Sequence, residues 1–379
     1  MDFSWTQEQE EIYSRILHSA QKMVSRSEDL HTSFWTRTQW RCCGEAGLLG
    51  LSVPERYQGE GFNALTTARA IEAFSRGCED MGLVFSAAAH LFACSMPIVE
   101  YGTKDVKTSL LPDLCSGELI GANAISEKDA GSDVFALKTR AVRDGDVYIL
   151  TGTKSYVSNG PVADLIVVYA LTNPAHGYFG VTAFVVRRDA PGLTMGESLG
   201  KIGLTSTPAC EIFLNECHIP VQSRLGQEGQ GAHIFRRSML WERACLFAAY
   251  IGLMERQLER SVSHACKRKQ FGKFIGKNQA IAHRLADMKL RLESARLLLY
   301  RACWLFDKGD DATLAISLSK LAISEAAVQG GLDAIRIHGS IGVNTESGIE
   351  QMLRDAIPGT IFSGTSEMQR NIIANALGM

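Results

Sequence analysis

The hydrophobic positions of the first 117 residues recur mostly at helical spacing. Ile12, Ile16, Ala20 and Met23 follow one another at intervals of three or four residues, and such intervals place side chains on one face of an α-helix. Thr6 and Gln9 precede them at the spacing of a capping box, in which each side chain bonds the other's backbone N–H. The helical pattern is interrupted at 53–61 and at 102–103. We therefore expect an all-α unit over residues 1–118.

The pattern changes between residues 119 and 225. Short runs rich in β-branched residues occur at 147–150, 165–169 and 181–186, and apolar residues alternate with polar ones at 210–214. Asp144-Gly145 separates two such runs and indicates a β-hairpin, because tight hairpin turns need positive φ. Successive strands without intervening helices predict a central antiparallel β domain, a barrel or a sandwich, over 119–225.

Helical spacing returns after the glycine-rich segment 226–231. One bundle seam steps by three and four residues through Ile281, Leu285, Met288, Leu292, Ala295 and Leu299. A second helix begins near Leu314, and a last one runs from Thr365 to Leu377. The predicted class is α+β, with a C-terminal helical bundle over 226–379.

Composition and charge exclude several classes of protein. The 379 residues are 46% hydrophobic and 21% charged with a net charge of −2, so no basic surface for nucleic acid is expected. The longest apolar stretch is taken as 244–254, too short to span a bilayer, and residues 1–4 lack the start of a secretory signal. The ten cysteines show no CxxC pair or metal-binding spacing. Free thiols, no metal and a cytoplasmic location are therefore expected.

Candidate chemistry lies at the junctions of these units. The turn 130–133 offers backbone donors and the Ser132 hydroxyl to a phosphate or a polar ring edge. Tyr156 and Ser158 are two residues apart on one strand face, where a flat cofactor can stack. Arg268 ends a long helix, where it is suited to a pyrophosphate. Each feature also has a purely structural interpretation as a tight turn, a packed strand tyrosine or a solvated helix end.

Together, four sequence strings resemble the acyl-CoA dehydrogenase family of flavoenzymes across nearly the whole chain. They are Ser126-Glu127 through Gly131-Ser132-Asp133, Lys154 through Asn159-Gly160, Arg268-Lys269-Gln270-Phe271-Gly272, and Gly364-Thr365-Ser366-Glu367. The resemblance implies an N-terminal helical domain, a central β domain and a C-terminal four-helix bundle. It also implies FAD bound between the β domain and the bundle, with part of it held by a neighbouring subunit of a homodimer or homotetramer.

The same resemblance implies which residues contact the cofactor. Tyr156 replaces a tryptophan common in relatives, Asn123 stands where many have an aromatic residue, and Arg336 replaces a usual glutamine. The implied cofactor-binding residues are Ser126, Gly131, Ser132, Tyr156, Ser158, Arg268, Gln270, Phe271, Arg336, Gly339, Thr365 and Glu367.

The catalytic base departs from the commonest family pattern. Most relatives carry a glutamate immediately before the Gly-Thr of the C-terminal loop, but this chain has Ser363 there, and a hydroxyl is too weak a base at neutral pH. Another branch places its glutamate on a bundle helix before an arginine. Glu242 and Arg243 match that arrangement, so we expect Glu242 to be the base, Arg243 to support it, and Ser363→Ala to have little effect on the chemistry.

Several functions remain open at this point. The resemblance implies an FAD-dependent dehydrogenase acting on an acyl-CoA or acyl-carrier-protein thioester, with an electron-transfer flavoprotein or oxygen as electron acceptor. The chain looks most like carrier-protein-directed members of polyketide and nonribosomal-peptide clusters, such as those forming aminomalonyl units from small polar acyl groups in colibactin-type pathways. The alternatives are an acyl-CoA dehydrogenase of fatty-acid or branched-chain catabolism and a non-catalytic, flavin-carrying DNA-associated protein.

Overall fold

The computed structural model describes residues 4–24 and 34–379. The chain forms helices, then a sheet, then helices again, which confirms the α+β order predicted from the hydrophobic pattern. The expectation about a secretory signal rests mainly on residues 1–3, which lie outside the described residues.

Within its described residues, 4–24 and 34–118, the first unit contains six α-helices. The predicted capping box is present, since Thr6 N donates to Gln9 Oε1 at 3.1 Å and Gln9 N donates to Thr6 Oγ1 at 3.2 Å. Gly117 ends the last of these helices with φ 82°, a conformation that glycine adopts without strain. The helices are α1 (Gln7–Val24), α2 (Arg37–Glu45), α3 (Ala64–Gly77), α4 (Met81–Ala89), α5 (Met96–Tyr101) and α6 (Lys104–Ser116).

The most apolar helical segment is not the one expected from the sequence. Residues Met81–Tyr101 form α4, a π-helical segment at His90–Ser95 and α5 in succession. This stretch has a mean hydropathy of 1.7 and is long and apolar enough to cross a membrane, but 89% of it is buried inside the protein. The identification of 244–254 as the longest apolar stretch was therefore wrong. The buried surface marks Met81–Tyr101 as a core helix.

The central unit is an eight-stranded sheet with the order β6-β7-β3-β2-β4-β5-β8, to which β1 is added beside β4. Its pairings are antiparallel except that β1 runs parallel to β4, and β2 meets β4 in parallel at Arg140 and Leu171. The predicted hairpin joins β2 to β3 with Gly145 at φ 56°. The strands are β1 (Gly121–Ala124), β2 (Arg140–Asp144), β3 (Val147–Ser158), β4 (Leu165–Leu171), β5 (Val181–Arg187), β6 (Leu193–Met195), β7 (Ala209–Pro220) and β8 (Arg224–Leu225).

Strand β4 is buried on both faces. Val167 and Tyr169 pack into the core shared with the helices, whereas Ile166 and Val168 pack into a separate core inside the sheet. This double burial explains why the strand is a continuous apolar run instead of an alternating one. The sheet therefore has one face available to build a site together with the helices.

The third unit is a helical bundle in which α10 packs against α8, α9, α11 and α12. Met288, Leu292, Ala295 and Leu299 of the predicted seam are buried. A short hairpin of β9 (Lys269–Gln270) and β10 (Lys273–Phe274) follows α8. The helices are α7 (Gly231–Trp241), α8 (Ala248–Lys267), α9 (Gln279–Asp307), α10 (Thr313–His338), α11 (Ile349–Ala356) and α12 (Ser366–Ala376).

Polar contacts tie the N-terminal helices to the bundle. The Asp307 carboxylate accepts hydrogen bonds from Ala64 N at 2.7 Å and Leu65 N at 2.9 Å, which caps the start of α3. Buried Glu72 of α3 pairs with Arg296 of α9 at 3.1 Å. The two helical units consequently pack as one body, and the boundaries at 118/119 and 225/226 remain predictions.

The cysteines carry no cross-links. The described cysteines form no disulfide bonds. Within residues 4–24 and 34–379, no group of three or more His, Cys, Asp or Glu side chains is arranged to hold a metal ion. The polar chemistry of the protein is found elsewhere, in a cavity between the sheet and the helices.

Candidate active site

A cavity of about 660 Å³ lies where the β unit meets the helices. Its lining comes from α4 and the π-helical segment after it, residues 121–135, the end of β3, the end of α7 with the residues that follow, the start of α10, and the loop 362–364 with α12. Its walls combine aromatic and aliphatic side chains with several hydroxyls, which is the usual make-up of a small-molecule site.

The turn after β1 is held by a buried ion pair. Lys154 Nζ lies 2.8 Å from Glu127 Oε1, and the Glu127 carboxylate also accepts hydrogen bonds from the backbone of Lys138 and Thr139. Burial alone would raise the pKa of the Glu127 carboxyl, but Lys154 and these donors lower it below its usual value. The anchored turn presents Ser126 and Ser132 to the cavity.

The end of β3 has an irregular backbone. The pairing with β7 shifts register between Lys154 and Val157, and Tyr156 has φ 59°, which is rare for a residue with a side chain. The Tyr156 side chain lines the cavity and is 70% exposed. Ser158 lines the same cavity. A strained aromatic residue open to the cavity is suited to stacking on a flat ligand.

Glu242 begins a π-helical segment, Glu242–Leu246, directly after α7. Such segments are rare and often mark functional sites. The preceding helix is fixed by Ser238 Oγ, which donates to the Phe92 carbonyl at 3.1 Å, and by Trp241 Nε1, which donates to Glu100 at 2.7 Å. The Glu242 carboxylate is thereby held in the cavity wall with 8% of its surface exposed.

The loop before α12 contacts this carboxylate. The Ser363 hydroxyl donates a hydrogen bond to Glu242 Oε1, and Arg243 Nε donates to the Ser363 carbonyl at 2.7 Å. Burial raises the pKa of the Glu242 carboxyl above its usual value, although the Ser363 hydroxyl and the Arg243 charge oppose that rise. A carboxyl with a raised pKa in a cavity is suited to general acid–base catalysis.

Comparison with models of known protein families identifies the family to which the three units belong. Family models match in three consecutive segments: the acyl-CoA dehydrogenase N-terminal domain at 6–118, the middle domain at 122–217 and the C-terminal domain at 229–378. The chain belongs to the acyl-CoA dehydrogenase family. The family resemblance and the fold class expected from the sequence are both confirmed.

Several named proteins show which members of the acyl-CoA dehydrogenase family this chain is similar to. The chain is 54% identical to an L-prolyl-[peptidyl-carrier protein] dehydrogenase of Pseudomonas fluorescens, with 100% of both chains covered. It is 42% identical to a protein of the same name from a Serratia species, covering 100% of this chain and 99% of that one. Among solved structures, the prolyl acyl carrier protein oxidase AnaB matches with a TM-score of 0.96 and 42% identity over 99% of this chain and 100% of AnaB.

Acyl-CoA dehydrogenases use FAD, and one similar structure, PigA with FAD and proline, matches at 41% identity and a TM-score of 0.94 over 100% of this chain and 99% of PigA. The residues of this cavity fit such a group. Asn159 Oδ1 is buried beside the cavity and has no hydrogen-bond partner among the described residues. An unpaired buried amide oxygen is costly, and a polar ring edge can satisfy it. Together with Tyr156 and the nearby hydroxyls, it provides stacking and hydrogen bonds for a flavin ring.

The predicted site residues fall into two groups. Those brought together in the cavity are Ser126, Gly131, Ser132, Tyr156, Ser158, Glu242 and Arg243. Those outside the cavity wall are Arg268, Gln270, Phe271, Arg336, Gly339, Thr365 and Glu367. Thr365 and Glu367 start α12, immediately beyond the cavity loop. The others lie where α8 and α10 end, and there His264 stacks on His338 at 4.4 Å.

Sequence reasoning missed several cavity residues. Asn159 stands within a recognised string, yet only its burial and its unpaired oxygen mark it as functional. Asn123 donates to the Ala93 carbonyl at 2.8 Å, within the π-helical segment, and sequence spacing gives no sign of that contact. Phe85 and Phe362 pack against each other in the cavity wall, with ring centroids 4.7 Å apart and a tilt of 57°, although they are 277 positions apart in sequence.

Proposed function

We propose that this acyl-CoA dehydrogenase family member oxidises an L-prolyl group, or a similarly small amino-acyl group, held as a thioester on a carrier protein. Two relatives that match essentially the full chain are named L-prolyl-[peptidyl-carrier protein] dehydrogenases. AnaB and PigA, whose names or contents refer to prolyl carrier protein or proline, share the whole fold. Identity across the full length supports a substrate of the same class, since the cavity is built from all three segments.

The observation that carries the proposal is the buried Glu242 carboxylate in the cavity wall. A thioester acidifies the hydrogen on its α-carbon, so a positioned carboxylate can remove that hydrogen as a proton. Bound FAD supplies the acceptor for the hydride that leaves the adjacent atom of the acyl group. Ser126, Ser132, Tyr156 and Ser158 would hold the cofactor, and Glu242 would hold the proton.

Aromatic packing around the base favours a short acyl group. Phe362 packs against Phe85 at 4.7 Å and against Phe247 at 5.4 Å, and Tyr250 lies behind them. Phe247 and Tyr250 are fully buried. A long acyl chain would have to displace this packed wall, whereas a five-membered ring is small enough to stop in front of it.

Two other substrate classes are alternatives that the same experiment tests. A carrier-bound seryl-derived group, as in aminomalonyl formation, would also be small and would also need a base near FAD. A fatty or branched acyl-CoA would need room that the aromatic wall occupies. For the DNA-associated alternative we expect negligible binding to duplex DNA at physiological salt, because the net charge is −2.

We further propose a cytoplasmic homo-oligomer that works with a soluble carrier protein. The electron acceptor is either an electron-transfer flavoprotein or oxygen. AnaB is named an oxidase, whereas the Pseudomonas and Serratia relatives are named dehydrogenases. Turnover measured with oxygen alone and then with an added electron-transfer flavoprotein distinguishes these acceptors.

The test is anaerobic reduction of the enzyme-bound flavin by a panel of thioesters. The panel contains L-prolyl-, D-prolyl- and L-seryl-derived groups on a phosphopantetheinylated carrier protein, and L-prolyl-, butyryl- and octanoyl-CoA. We expect the L-prolyl carrier protein to bleach the flavin fastest, with a loss of about 2 Da from the acyl group, since one bound FAD accepts two electrons and each two-electron oxidation removes about 2 Da of hydrogen.

D-prolyl carrier protein is the matched control, because its α-hydrogen lies on the opposite face and should be removed far more slowly. Faster bleaching by butyryl- or octanoyl-CoA would reject the carrier-bound prolyl substrate and indicate a catabolic enzyme. Faster bleaching by the seryl-derived groups would indicate the aminomalonyl route instead.

A further inference from the structure

The loop residue that replaces the usual family base has a strained backbone. Ser363 has φ 55° and Gly364 has φ 87°, and only glycine adopts such values without cost. A non-glycine residue persists there only when its surroundings hold it in place. At Ser363 the surroundings are Arg243, which donates to its carbonyl at 2.7 Å, and Glu242, which accepts its hydroxyl hydrogen bond.

Gly364 leaves room for this arrangement. A Cβ atom at that position would lie 3.0 Å from Arg243 Nη2 and 3.0 Å from Gln369 Nε2, which is tighter than ordinary packing. Gln369 Nε2 also donates to the Gly364 carbonyl at 3.1 Å. The loop is therefore fastened on both sides of Ser363, with the hydroxyl directed at the Glu242 carboxylate.

The charged groups around Glu242 are few. Arg243 follows Glu242 in the same π-helical segment, and Lys320 of α10 interacts electrostatically with Arg243. On the sheet side, Tyr169 of β4 interacts electrostatically with Glu242, and the neutral Asn123 of β1 lines the same cavity. Elsewhere in the described part of the chain, no side chain besides Ser363 donates a hydrogen bond to Glu242. A single hydroxyl thus provides the hydrogen bond of a buried carboxylate.

We propose that Ser363 is a positioning residue that fixes the orientation of the Glu242 carboxylate and keeps it in its charged, proton-accepting form. The proposal rests on the role of Glu242 as base in the proposed function. It replaces the sequence-based expectation that Ser363→Ala has little effect. Ser363, whose hydroxyl cannot itself act as a base, thus supports a base that lies on the π-helical segment after α7.

The first experiment measures the Glu242 carboxyl directly, without substrate. In an infrared pH titration of the FAD-loaded protein, the Glu242 carboxyl band is the one absent from Glu242→Gln. A hydrogen bond to a charged group contributes enough to shift a pKa by about one unit or more. In Ser363→Ala the midpoint should therefore move upward by about one pH unit, because the charged form loses its donor.

The second experiment follows anaerobic flavin reduction against pH with the panel thioester that reduces the wild type fastest. Below the new midpoint, Ser363→Ala should react about tenfold more slowly than the wild type, since fewer Glu242 carboxylates are charged. At high pH the two rates should converge to within about threefold. A merely structural role would lower the rate by the same factor at every pH.

Two further variants serve as controls. Thr360→Ala removes a hydroxyl from the short 3-10 helix just before the loop, where it donates to the Ile357 carbonyl at 2.8 Å, and should leave both midpoints at the wild-type value. Ser363→Gly also removes the hydroxyl but suits the positive φ. Ser363→Gly should show the same upward shift of the infrared midpoint as Ser363→Ala. It therefore serves as the test even if Ser363→Ala folds poorly.

An unchanged infrared midpoint in both Ser363 variants, or an equal rate loss at every pH, would overturn the proposal. A Glu242→Gln variant that still reduces its flavin at the wild-type rate would remove the base assignment and the proposal with it. If only the prolyl assignment fails, the infrared shift is still expected, because that titration uses no thioester.

Discussion

At the scale of single residues, Glu242 combines burial with a charge that the chemistry requires. It has 8% of its surface exposed, and its pKa is raised chiefly by burial. Ser363 and Arg243 offset part of that cost through hydrogen bonds and charge. A buried carboxylate of this kind lowers the stability of the folded protein in exchange for reactivity. Both the reactivity and the loss of stability can be measured.

The first measurement is catalytic. Glu242→Gln keeps the shape of the side chain but cannot accept a proton, so flavin reduction should slow by at least ~100-fold while FAD content and the circular dichroism spectrum stay at wild-type values. Stopped-flow absorbance under anaerobic conditions checks this. An unaltered rate would assign the base to another carboxylate.

The second measurement is thermodynamic. Because the folded-state pKa of Glu242 is raised, the folded protein favours the protonated acid, and the stability this group contributes is lost as pH rises through that pKa. Glu242→Gln has no such loss. Its Tm should exceed that of the wild type by about 2 °C or more at pH ~8, and the difference should shrink toward pH ~5. A pH-independent difference in scanning calorimetry would contradict the assignment.

At the scale of elements, two π-helical segments place the site. The Ala93 carbonyl of His90–Ser95 accepts a hydrogen bond from Asn123, and Glu242–Leu246 presents the Glu242 carboxylate, the predicted base. His90 joins three elements, because its Nε2 donates to the Leu114 carbonyl at 3.1 Å and its Nδ1 accepts from Gly121 N at 2.8 Å. This ring must stay neutral, since burial lowers the pKa of His90 to about 4.

Acid should therefore destabilise this junction. The unfolded chain protonates His90 near its ordinary value of about 6.5 and the folded chain only near 4, so stability present above pH ~6.5 is lost as pH falls, by about 3 kcal/mol at most. His90→Gln keeps a donor and an acceptor without titrating. Urea unfolding across this range should show a smaller pH slope for the variant, and equal slopes would exclude His90 as a source.

The aromatic wall of α4 makes a separate prediction about substrate length. Phe85→Ala opens space beside Phe362, so flavin reduction by octanoyl thioesters should rise by about tenfold or more relative to prolyl thioesters, the discrimination that a few methylenes provide. Phe92→Ala is the matched control, since Phe92 is fully buried nearby but does not line the cavity. It should lower stability and leave the ratio unchanged.

At the scale of the whole molecule, the predicted cofactor residues occupy two separate places. Phe271 at the tip of the β9–β10 hairpin is 97% exposed with φ 51°, which is an unusual position for a large apolar side chain. Arg268 and Gln270 lie beside it, away from the cavity. We therefore predict a symmetric oligomer in which this hairpin completes a neighbour's FAD site.

The purified protein should accordingly be yellow and at least dimeric. Arg268→Ala should lower the FAD-to-protein ratio after gel filtration by about threefold or more, because it removes a charge-assisted contact, with little change in Tm of the apoprotein. Lys277→Ala, an exposed lysine after the same hairpin, is the control and should retain FAD. A colourless monomer that takes up no added FAD would contradict the oligomeric site.

The sequence by itself determined the element order and led to the prediction that Glu242 is the base. Helical spacing and strand alternation are local consequences of burying one face of each element, so α9, β5 and the capping box at Thr6 could be predicted. Glu242 was identified because a glutamate was missing at Ser363 and a Glu-Arg pair stood on a helix. The long apolar segment Met81–Tyr101 was wrongly passed over for 244–254, and only its burial shows that it is a core helix and not a bilayer span, since hydropathy does not distinguish the two.

Only the tertiary structure decided how the site is assembled. The hydrogen bond from Ser363 to Glu242 and the tilted packing of Phe85 against Phe362 join residues more than a hundred positions apart. No local periodicity records such contacts, because they depend on how the loop before α12 packs against the π-helical segment after α7. The sequence therefore indicates candidate residues for the chemistry, and long-range packing specifies which of them contact one another.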